Sequence, residues 1–583
     1  MTRSAADIGR GLAPARPARP IVAGERIHVV GAAGAGASAA AILAACAGAR
    51  VTACDRSADS PYVPAVEAAG VTVWEGHDAA HVATGWEPTP SELGPRPANG
   101  AGPGATRARP GRRAIVDRLA VTKALTAIDP DHPELQAARA LGIPIEPWQQ
   151  VVADAAASRV CRLVAIAGTH GKSTSTGWML QLLAGAGRDP SGFVGALLPA
   201  EGTAGPPSTA RWGAGPEFVV EADEYAGNFD PYQPSLAVLL NAEWDHPDVF
   251  ADQEAVLDAF EAWIRRADGA GEPPTLVVNC GDPGADRVAA RLVDWPGRLV
   301  AVALAPDASA GTARAPAGQL PALRARLETS RRSALGTAHA VVGRIVERDA
   351  DGTALEIVGL EGSGAPSGSA RPAAGPAAVA ARIALPGRHN AQNALCVAAA
   401  AASLGVPMPA VLAGLAAFRG VGRRLEFKGE PQGVAVLDDY AHHPTAIAET
   451  LAAVRQRYPG RRLWAAYEPL TYHRTAALLD RFADVLAGGA DAVVIADIWA
   501  GRDPDTSIAS AEALAAAVRA RGPSPASAPG SVEQTADWLA SRVRPGDVVL
   551  VMGGGRSYRI AARLVELLGG PSATPMPPGD ADR

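Results

Sequence analysis

What the 583-residue chain has little of narrows its function first. It carries five cysteines, Cys46, Cys54, Cys161, Cys280 and Cys396, far apart and without CxxC spacing. That is neither a secreted disulfide scaffold nor a zinc-ribbon pattern, and a reduced cytoplasmic setting is expected. No stretch reaches the ~18 uninterrupted apolar residues of a membrane helix, so a membrane partner is not expected. The opening MTRSAADIGRGLAPARPARPIV has arginines but no apolar core of signal-peptide length, and its alternating Pro and Arg predict a flexible tail over residues 1–24. Positive charge is not in excess: the formal net charge is −6. Nucleic acid is therefore a poor main partner, whereas a small anionic substrate held by a local cluster remains compatible.

What is present is an ordinary globular composition, 48% apolar and 20% charged, long enough for about three or four domains. From Glu25, ERIHVV, GAAGAGAS, an Ala-rich run and RVTACD read as strand, glycine turn, helix and strand, one βαβ unit. Residues 85–113 are dense in Pro, Gly and Arg and read as a surface insertion. RLVAIAG begins a second α/β unit, followed by a polar turn and STSTGWMLQLLAGAG, which reads as an amphipathic helix. EFVVEADE and SLAVLLNAEWDH place acidic and imidazole side chains just past apolar strands, where ligands gather in open α/β sheets. HAVVGRIVERDADGTALEIVGL alternates like a hairpin between two further insertions, 307–332 and 362–377. A third unit is expected from about Pro386, where GRHNAQN opens renewed strand and helix alternation. The expected boundaries are 25–157, 158–383 and 384–570, with a flexible tail over 571–583.

The most specific stretch is GTHGKST, Gly168–Thr174. Strand, glycine turn and helix start aim backbone N–H groups at one point, a fixed anion site. Lys172 adds a point charge for terminal phosphates, and the Ser173 hydroxyl is placed for magnesium. Ile166 stands where the common GxxxxGK[ST] loop has its first glycine, which indicates a tighter GxxGK[ST] variety. The plainer alternative is a capped helix start, with Ser173 or Thr174 as cap. Glu221, Asp223, Glu224, Asp245 and His246, past the two later strands, favour the phosphate reading; Glu221 is the first candidate for the metal, and His246 a softer one.

GTHGKST, VVEADE, NAEWDH, PGRHNAQN, GVGRRLEF and LDDYAHHPT, in this order from Glu25 to about Leu568, resemble the muramyl ligases. The resemblance implies an α/β fold of three domains: an N-terminal Rossmann-like UDP-binding domain, a central P-loop ATPase with a mostly parallel sheet, and a C-terminal Rossmann-like domain. It implies a reaction in which ATP, with magnesium, phosphorylates the carboxylate of UDP-N-acetylmuramate, and the amine of L-alanine attacks the acyl phosphate, in peptidoglycan precursor synthesis. Catalysis would rest on Lys172, Glu221, His246 and Arg424, and the metal on Ser173, Glu221 and His246. ATP would meet Gly168, Thr169, His170, Gly171, Lys172, Ser173, Thr174, Asn390, Asn393, Arg424 and Asp439. Gly31, Gly34, Gly36, Asp55 and His443 would hold the UDP-sugar, and Tyr440, His442 and Arg474 the amino acid. A monomer or homodimer is implied, as is closure of the C-terminal domain that brings Arg424 and Asn390 to the loop.

Alternatives stay open at this level. Gly31, Gly34 and Gly36 read GxxGxG rather than GxGxxG, although Asp55 lies where a ribose-binding acid would, so the turn also admits a dinucleotide. YEPLTYHRT departs from the QPHTYSRT-like stretch of the alanine-adding ligases at Glu468 and Leu470, and VTKAL puts Lys123 at a Ser position. A tripeptide-recycling ligase, a non-catalytic muramyl-nucleotide sensor and a folate-polyglutamating ligase are the rival readings.

Overall fold

The computed structural model describes residues 8–569 except 58, 84–115, 160–161, 200–204, 307–318, 361–377, 502 and 504. The insertions expected at 85–113 and 362–377, the first part of that at 307–332 and the tail at 571–583 lie outside the described residues. The chain divides into two compact units, one of Ala5–Val160 with Ala200–Trp212, the other of Cys161–Pro199 with Gly213–Arg583 and the first four residues.

The first unit is a five-stranded sheet in the order Thr72–Glu75, Arg50–Asp55, Arg26–Val30, Arg118–Val121, Ile145–Pro147. All four pairings are parallel, as strand–helix–strand alternation requires. Over the described residues 8–24 the segment is not the loose tail expected from composition. Ile8 and Ile21 are buried. Arg16 forks onto Asp154 at 3.0 and 2.6 Å and reaches Glu146 at 2.9 Å, and Arg118 joins the same two carboxylates. Bidentate guanidinium–carboxylate bonds with little solvent access outweigh the disorder that Pro and Arg composition favours.

In the second unit the large sheet runs Val379–Ile383, Gly352–Val358, His339–Asp349, Arg298–Leu304, Thr275–Asn279, Leu236–Leu239, Arg162–Ala167, Glu217–Ala222, Ser191–Leu198. The strand before the glycine turn is thus flanked by the two strands whose ends carry the acidic and imidazole groups, both parallel to it. The alternating stretch does form an antiparallel pair, His339–Asp349 with Gly352–Val358. The late part of the insertion expected at 307–332, Gln319–Ser330, is a helix.

Two expectations are corrected here. The helix Lys172–Gly185 is buried from Ser173 to Leu180 and again at Leu182 and Leu183, so it is not amphipathic. It lies inside the unit, with Trp178 stacked on Phe418 at 4.8 Å and bonded through its indole N–H to the Gly414 carbonyl. Truncating such a tryptophan costs about 3–5 kcal/mol. The helices Arg388–Ser403 and Met408–Ala417, assigned from sequence to the last domain, belong to this core: Leu395, Val397 and Leu415 share one apolar cluster with Val164 and Trp178. The Ala-rich run offers no exposed polar face and must be covered on all sides.

The C-terminal sheet begins only at Glu426–Gly429 and continues Ala435–Asp439, Val548–Gly553, Leu463–Glu468, Ala492–Ala496, Ala526–Gly530. Only its first pairing is antiparallel. No helix among the described residues is long and apolar enough to cross a membrane.

Candidate functional site

The turn after Arg162–Ala167 is shaped by glycines and held by one asparagine. Gly168 has φ 143° and Gly171 φ 82°, conformations that L side chains avoid. A Cβ on Gly168 would sit 3.1 Å from the Asn241 backbone, and one on Gly171 3.0 Å from the Asn393 amide. Asn241 closes a two-way clamp, accepting from the His170 N–H at 2.7 Å and donating to the His170 carbonyl at 3.0 Å. Thr169 and Glu243 exchange a similar pair at 3.0 and 2.9 Å. The loop is therefore built before any anion arrives, and its helix N-terminus and Lys172 point at one place.

Lys172 donates to the Gly168 carbonyl at 2.7 Å and to Glu224 at 2.9 Å, with Asp223 at 3.4 Å. Burial disfavours its charge, but these carboxylates more than compensate and raise its pKa, so it stays an ammonium. Glu224 is pushed up to about 7 by burial and by Asp223 beside it, with Lys172 opposing. Ser173 donates to Glu221 at 3.0 Å, and the other Glu221 oxygen accepts from the Gly195 N–H at 2.6 Å. The hydroxyl and carboxylate expected to hold magnesium are thus adjacent, both hard oxygen donors. His246 instead gathers with Asp223 and Glu224, one donor atom of each within 4.8 Å of the others. It has φ 56°, a conformation that costs about 1–3 kcal/mol and that the surroundings must impose.

The segment GVGRRLEF supplies two arginines with different tasks. Arg424 donates to Ser173 at 3.0 Å, a contact between the C-terminal part and the phosphate loop that is already made. Closure is not needed to bring Arg424 to the loop, and Asn390 and Asn393 ride on a helix of the central core rather than on the C-terminal sheet. Asn393 stands against Gly171, whereas Asn390 is buried and spends its amide on the Pro386 carbonyl at 2.7 Å. Arg423, missed by the sequence reading, bonds Asp438, the Gly553 carbonyl and Ser557. The Tyr440 ring lies about 5 Å from both guanidinium carbons, at 5.1 and 5.0 Å. Asp439 accepts the N–H groups of Leu425 and Ala441, each at 2.8 Å, and shapes this turn.

A second seam runs through NAEWDH. Arg474 is 2% exposed; its Nε donates to Asp245 at 2.8 Å and its Nη2 to His246 at 3.3 Å, while Nη1 has no hydrogen-bond partner among the described residues. Burial would raise Asp245, but the Arg474 guanidinium bonded to it holds it well below the usual carboxylate range. Glu243, inside NAEWDH but given no role from the sequence, joins the loop to the C-terminal part: it faces His170 at 3.2 Å and accepts from Thr445 and Arg481 at 2.8 Å each. His443 stands over His170, ring centroids 4.7 Å apart, and burial followed by His170 lowers its pKa to about 3. His442 is lowered too, by burial and Arg474, and its Nδ1 lies 2.8 Å from the Tyr440 carbonyl. Both imidazoles are neutral hydrogen-bonding groups at pH 7. Glu468, one of the departures in YEPLTYHRT, is buried, pushed up to about 7 by that burial, and leaves Oε2 without a hydrogen-bond partner among the described residues.

In the first unit the glycine turn is equally well formed. Gly31 has φ 93°, its N–H and that of Ala32 donate to the Cys54 carbonyl, and Asp55 accepts from the Ala33 N–H at 2.9 Å. Gly34 caps the helix Ala35–Cys46, and a Cβ on Gly36 would strike the Trp148 ring at 2.2 Å.

Comparison with known proteins adds the following. Residues 26–160 match the family described as "Mur ligase family, catalytic domain", and residues 423–555 match "Mur ligase, glutamate ligase domain". The chain is 33% identical over 547 residues to a UDP-N-acetylmuramate–L-alanine ligase of Roseiflexus sp. (strain RS-1), covering 93% of this chain and 98% of that one. It is 34% identical over 540 residues to the ligase of the same description from Acidothermus cellulolyticus, covering 93% and 94%. Among solved structures, a UDP-N-acetylmuramate-alanine ligase from Thermotoga maritima superposes with a TM-score of 0.64 at 20% identity over 93% of this chain and 98% of that one. A murein peptide ligase from Psychrobacter arcticus gives 0.60 at 21% identity over 94% and 100%. At those identities the structural likeness speaks for the fold.

Proposed function

The chain belongs to the Mur ligase family, and from that premise we propose that it is an ATP-dependent ligase joining the carboxylate of UDP-N-acetylmuramate to the amine of L-alanine in peptidoglycan precursor synthesis. The observation that carries the reading is the Arg424–Ser173–Glu221 chain, with both hydrogen bonds 3.0 Å, beside the Lys172 ammonium. A phosphate loop, a hard-oxygen metal pair and a cation from the C-terminal part converge there, as transfer of a phosphoryl group to a carboxylate requires.

Two carboxylate-bearing partners must be brought to one phosphoryl group without repelling it. Lys172, the loop N–H groups and Arg424 neutralise the charge that accumulates on the transferred group, and they are positioned before substrate binds. Ser173 and Glu221 would hold magnesium; His246 would complete that set by leaving Asp223 and Glu224. The ion supplies further charge neutralisation on the phosphates. Asn393, on the edge of the loop at Gly171, and Asn390 would line the base. The glycine turn at Gly31, Gly34 and Gly36, with Asp55, would receive the UDP moiety, and His443 its sugar end. Tyr440, His442 and Arg474 would face the amino acid; Arg474 Nη1 has no hydrogen-bond partner among the described residues and would be open to a carboxylate. The neutral imidazoles favour binding over proton uptake, since a group with pKa about 3 is a poor base at pH 7. The enzyme would work in the cytoplasm as a monomer or homodimer.

Incubation with ATP, UDP-N-acetylmuramate and either L-alanine or the cell-wall tripeptide, followed by ADP release, tests the assignment. Faster turnover with tripeptide than with L-alanine contradicts it, and no substrate-dependent ADP with any amine favours a sensor.

A further inference from the structure

The first unit contains a buried knot of imidazole, thiol and carboxylate groups that the ligase chemistry does not use. His28 lies on the first strand and Cys54 on the second, two residues beyond the Thr52 that pairs with His28. His81 comes from the short helix Ala80–Ala83, and Glu134 from the helix Pro133–Leu141. One donor atom from each of the four lies within 4.8 Å of all the others. Against Glu134 Oε1 the separations are 2.6 Å for His81 Nδ1, 3.1 Å for Cys54 Sγ and 3.7 Å for His28 Nε2. Ligands about 2.0–2.3 Å from a tetrahedral ion stand roughly 3.3–3.7 Å apart, so small shifts convert this knot into a coordination shell.

As a self-contained polar core the knot is poorly satisfied. His28, Cys54 and Glu134 are 0% exposed, yet His28 Nε2 and Glu134 Oε2 have no hydrogen-bond partner among the described residues. Leaving such groups unpaired costs about 1–3 kcal/mol each. His28 is also already oriented: its Nδ1 lies 2.9 Å from the Thr52 hydroxyl, which turns Nε2 inward. That is how the non-ligating nitrogen of a metal-bound histidine is ordinarily held. Trp74 stacks on His81 at 4.5 Å and covers it, and His77 and His132 lean on the second Glu134 oxygen at 3.6 and 3.8 Å.

We propose that His28 Nε2, Cys54 Sγ, His81 Nδ1 and Glu134 Oε1 bind one divalent ion of the zinc class as a structural site. Imidazole and thiolate donors select against magnesium and calcium. Four protein ligands leave no open position for substrate, so the ion ties strands and helices together rather than performing chemistry. Binding replaces the Cys54 S–H bond to Glu134 with a metal–thiolate bond and releases that proton to solvent. The Cys54 carbonyl receives the Gly31 and Ala32 N–H groups, so the ion also fixes the base of the glycine turn.

The test uses the untagged full chain, stripped of metal and then given zinc or cobalt(II) alone, with metal content read by mass spectrometry and cobalt by its absorption. About one zinc per chain is expected, with a thiolate-to-cobalt charge-transfer band that Cys54→Ser abolishes and that the exposed Cys46→Ser leaves intact. Cys54→Ser and His81→Asn should each weaken zinc binding by about tenfold or more. Should Cys54→Ser fail to fold by circular dichroism, His81→Asn, at a more accessible position, carries the comparison. Zinc retained equally by wild type and folded His81→Asn, or a wild-type cobalt complex without the thiolate band, overturns the proposal.

Discussion

The phosphate loop and the buried knot of the first unit are both dense sets of polar groups, but the chain builds them in opposite ways. The loop is one contiguous run, Gly168–Thr174, whose backbone and side chains act together, and the side chains of Thr169, Lys172 and Ser173 each have a partner within the protein. The knot takes one side chain each from four separated segments and leaves buried atoms unpaired. Charge explains the difference. The loop must stay stable while empty and release its ligand each turnover, so Glu224 and Glu221 hold Lys172 and Ser173 between turnovers. A structural ion never leaves, so its ligands need no substitutes.

Separating the two sets by mutation gives the largest expected effect. Lys172→Ala should lower the ADP-forming rate by about 10³-fold, with UDP-N-acetylmuramate affinity and zinc content near wild type. A parallel loss of zinc would mean the two regions are not independent. Arg474→Ala, which strands Asp245 in a buried place, should destabilise the second unit by about 3–5 kcal/mol, read from the denaturant midpoint. Arg474→Lys should recover only part, since a compact ammonium lacks the planar fork that spans Asp245 and His246.

Glu468 gives a smaller, pH-dependent effect. Burial raises its folded pKa from the ordinary 4.5 to about 7, so the fold favours the protonated acid. Stability is full below the ordinary carboxylate range and falls as pH rises to about 7, by roughly 3 kcal/mol in all. Asp438, pushed up to about 6 by burial, slopes in the same direction. Glu468→Gln should flatten part of this slope in thermal melts between about pH 5 and about pH 8; an unchanged slope would remove Glu468 as its source. The smallest change is expected for Glu243→Gln, which weakens the bonds from Arg481 and His170 while keeping the side chain's shape. A loss of about 1 kcal/mol, roughly fivefold in KM for ATP, is expected, and an unchanged KM would limit Glu243 to a structural tie.

The same contrast explains what could be read in advance. GTHGKST, the two flanking strands with their terminal acids and the hairpin at His339–Val358 were legible because local pattern determines them. The allegiance of Arg388–Ser403 was not, because an Ala-rich helix fits either neighbouring sheet and only packing against Trp178 decides. The docking of residues 8–24 depends on Arg16 finding Asp154, a contact 138 residues away. The left-handed backbone at His246, Arg423, Leu425 and Thr471 carries no glycine to announce it. Glu243 sat inside a recognised motif, yet its partners Thr445 and Arg481 are brought to it only by the fold. The knot had no signal at all, since His28, Cys54, His81 and Glu134 share no motif spacing.

The central claim is the assembled ligase site, and the most direct measurement is the mass of the product formed from ATP, UDP-N-acetylmuramate and an equimolar mixture of amino acids and cell-wall tripeptide. The account predicts a single new species, UDP-N-acetylmuramate extended by one alanyl residue, with ADP formed in equal amount and neither formed by Lys172→Ala. A tripeptide adduct as the main product, or ADP without any adduct, would contradict it.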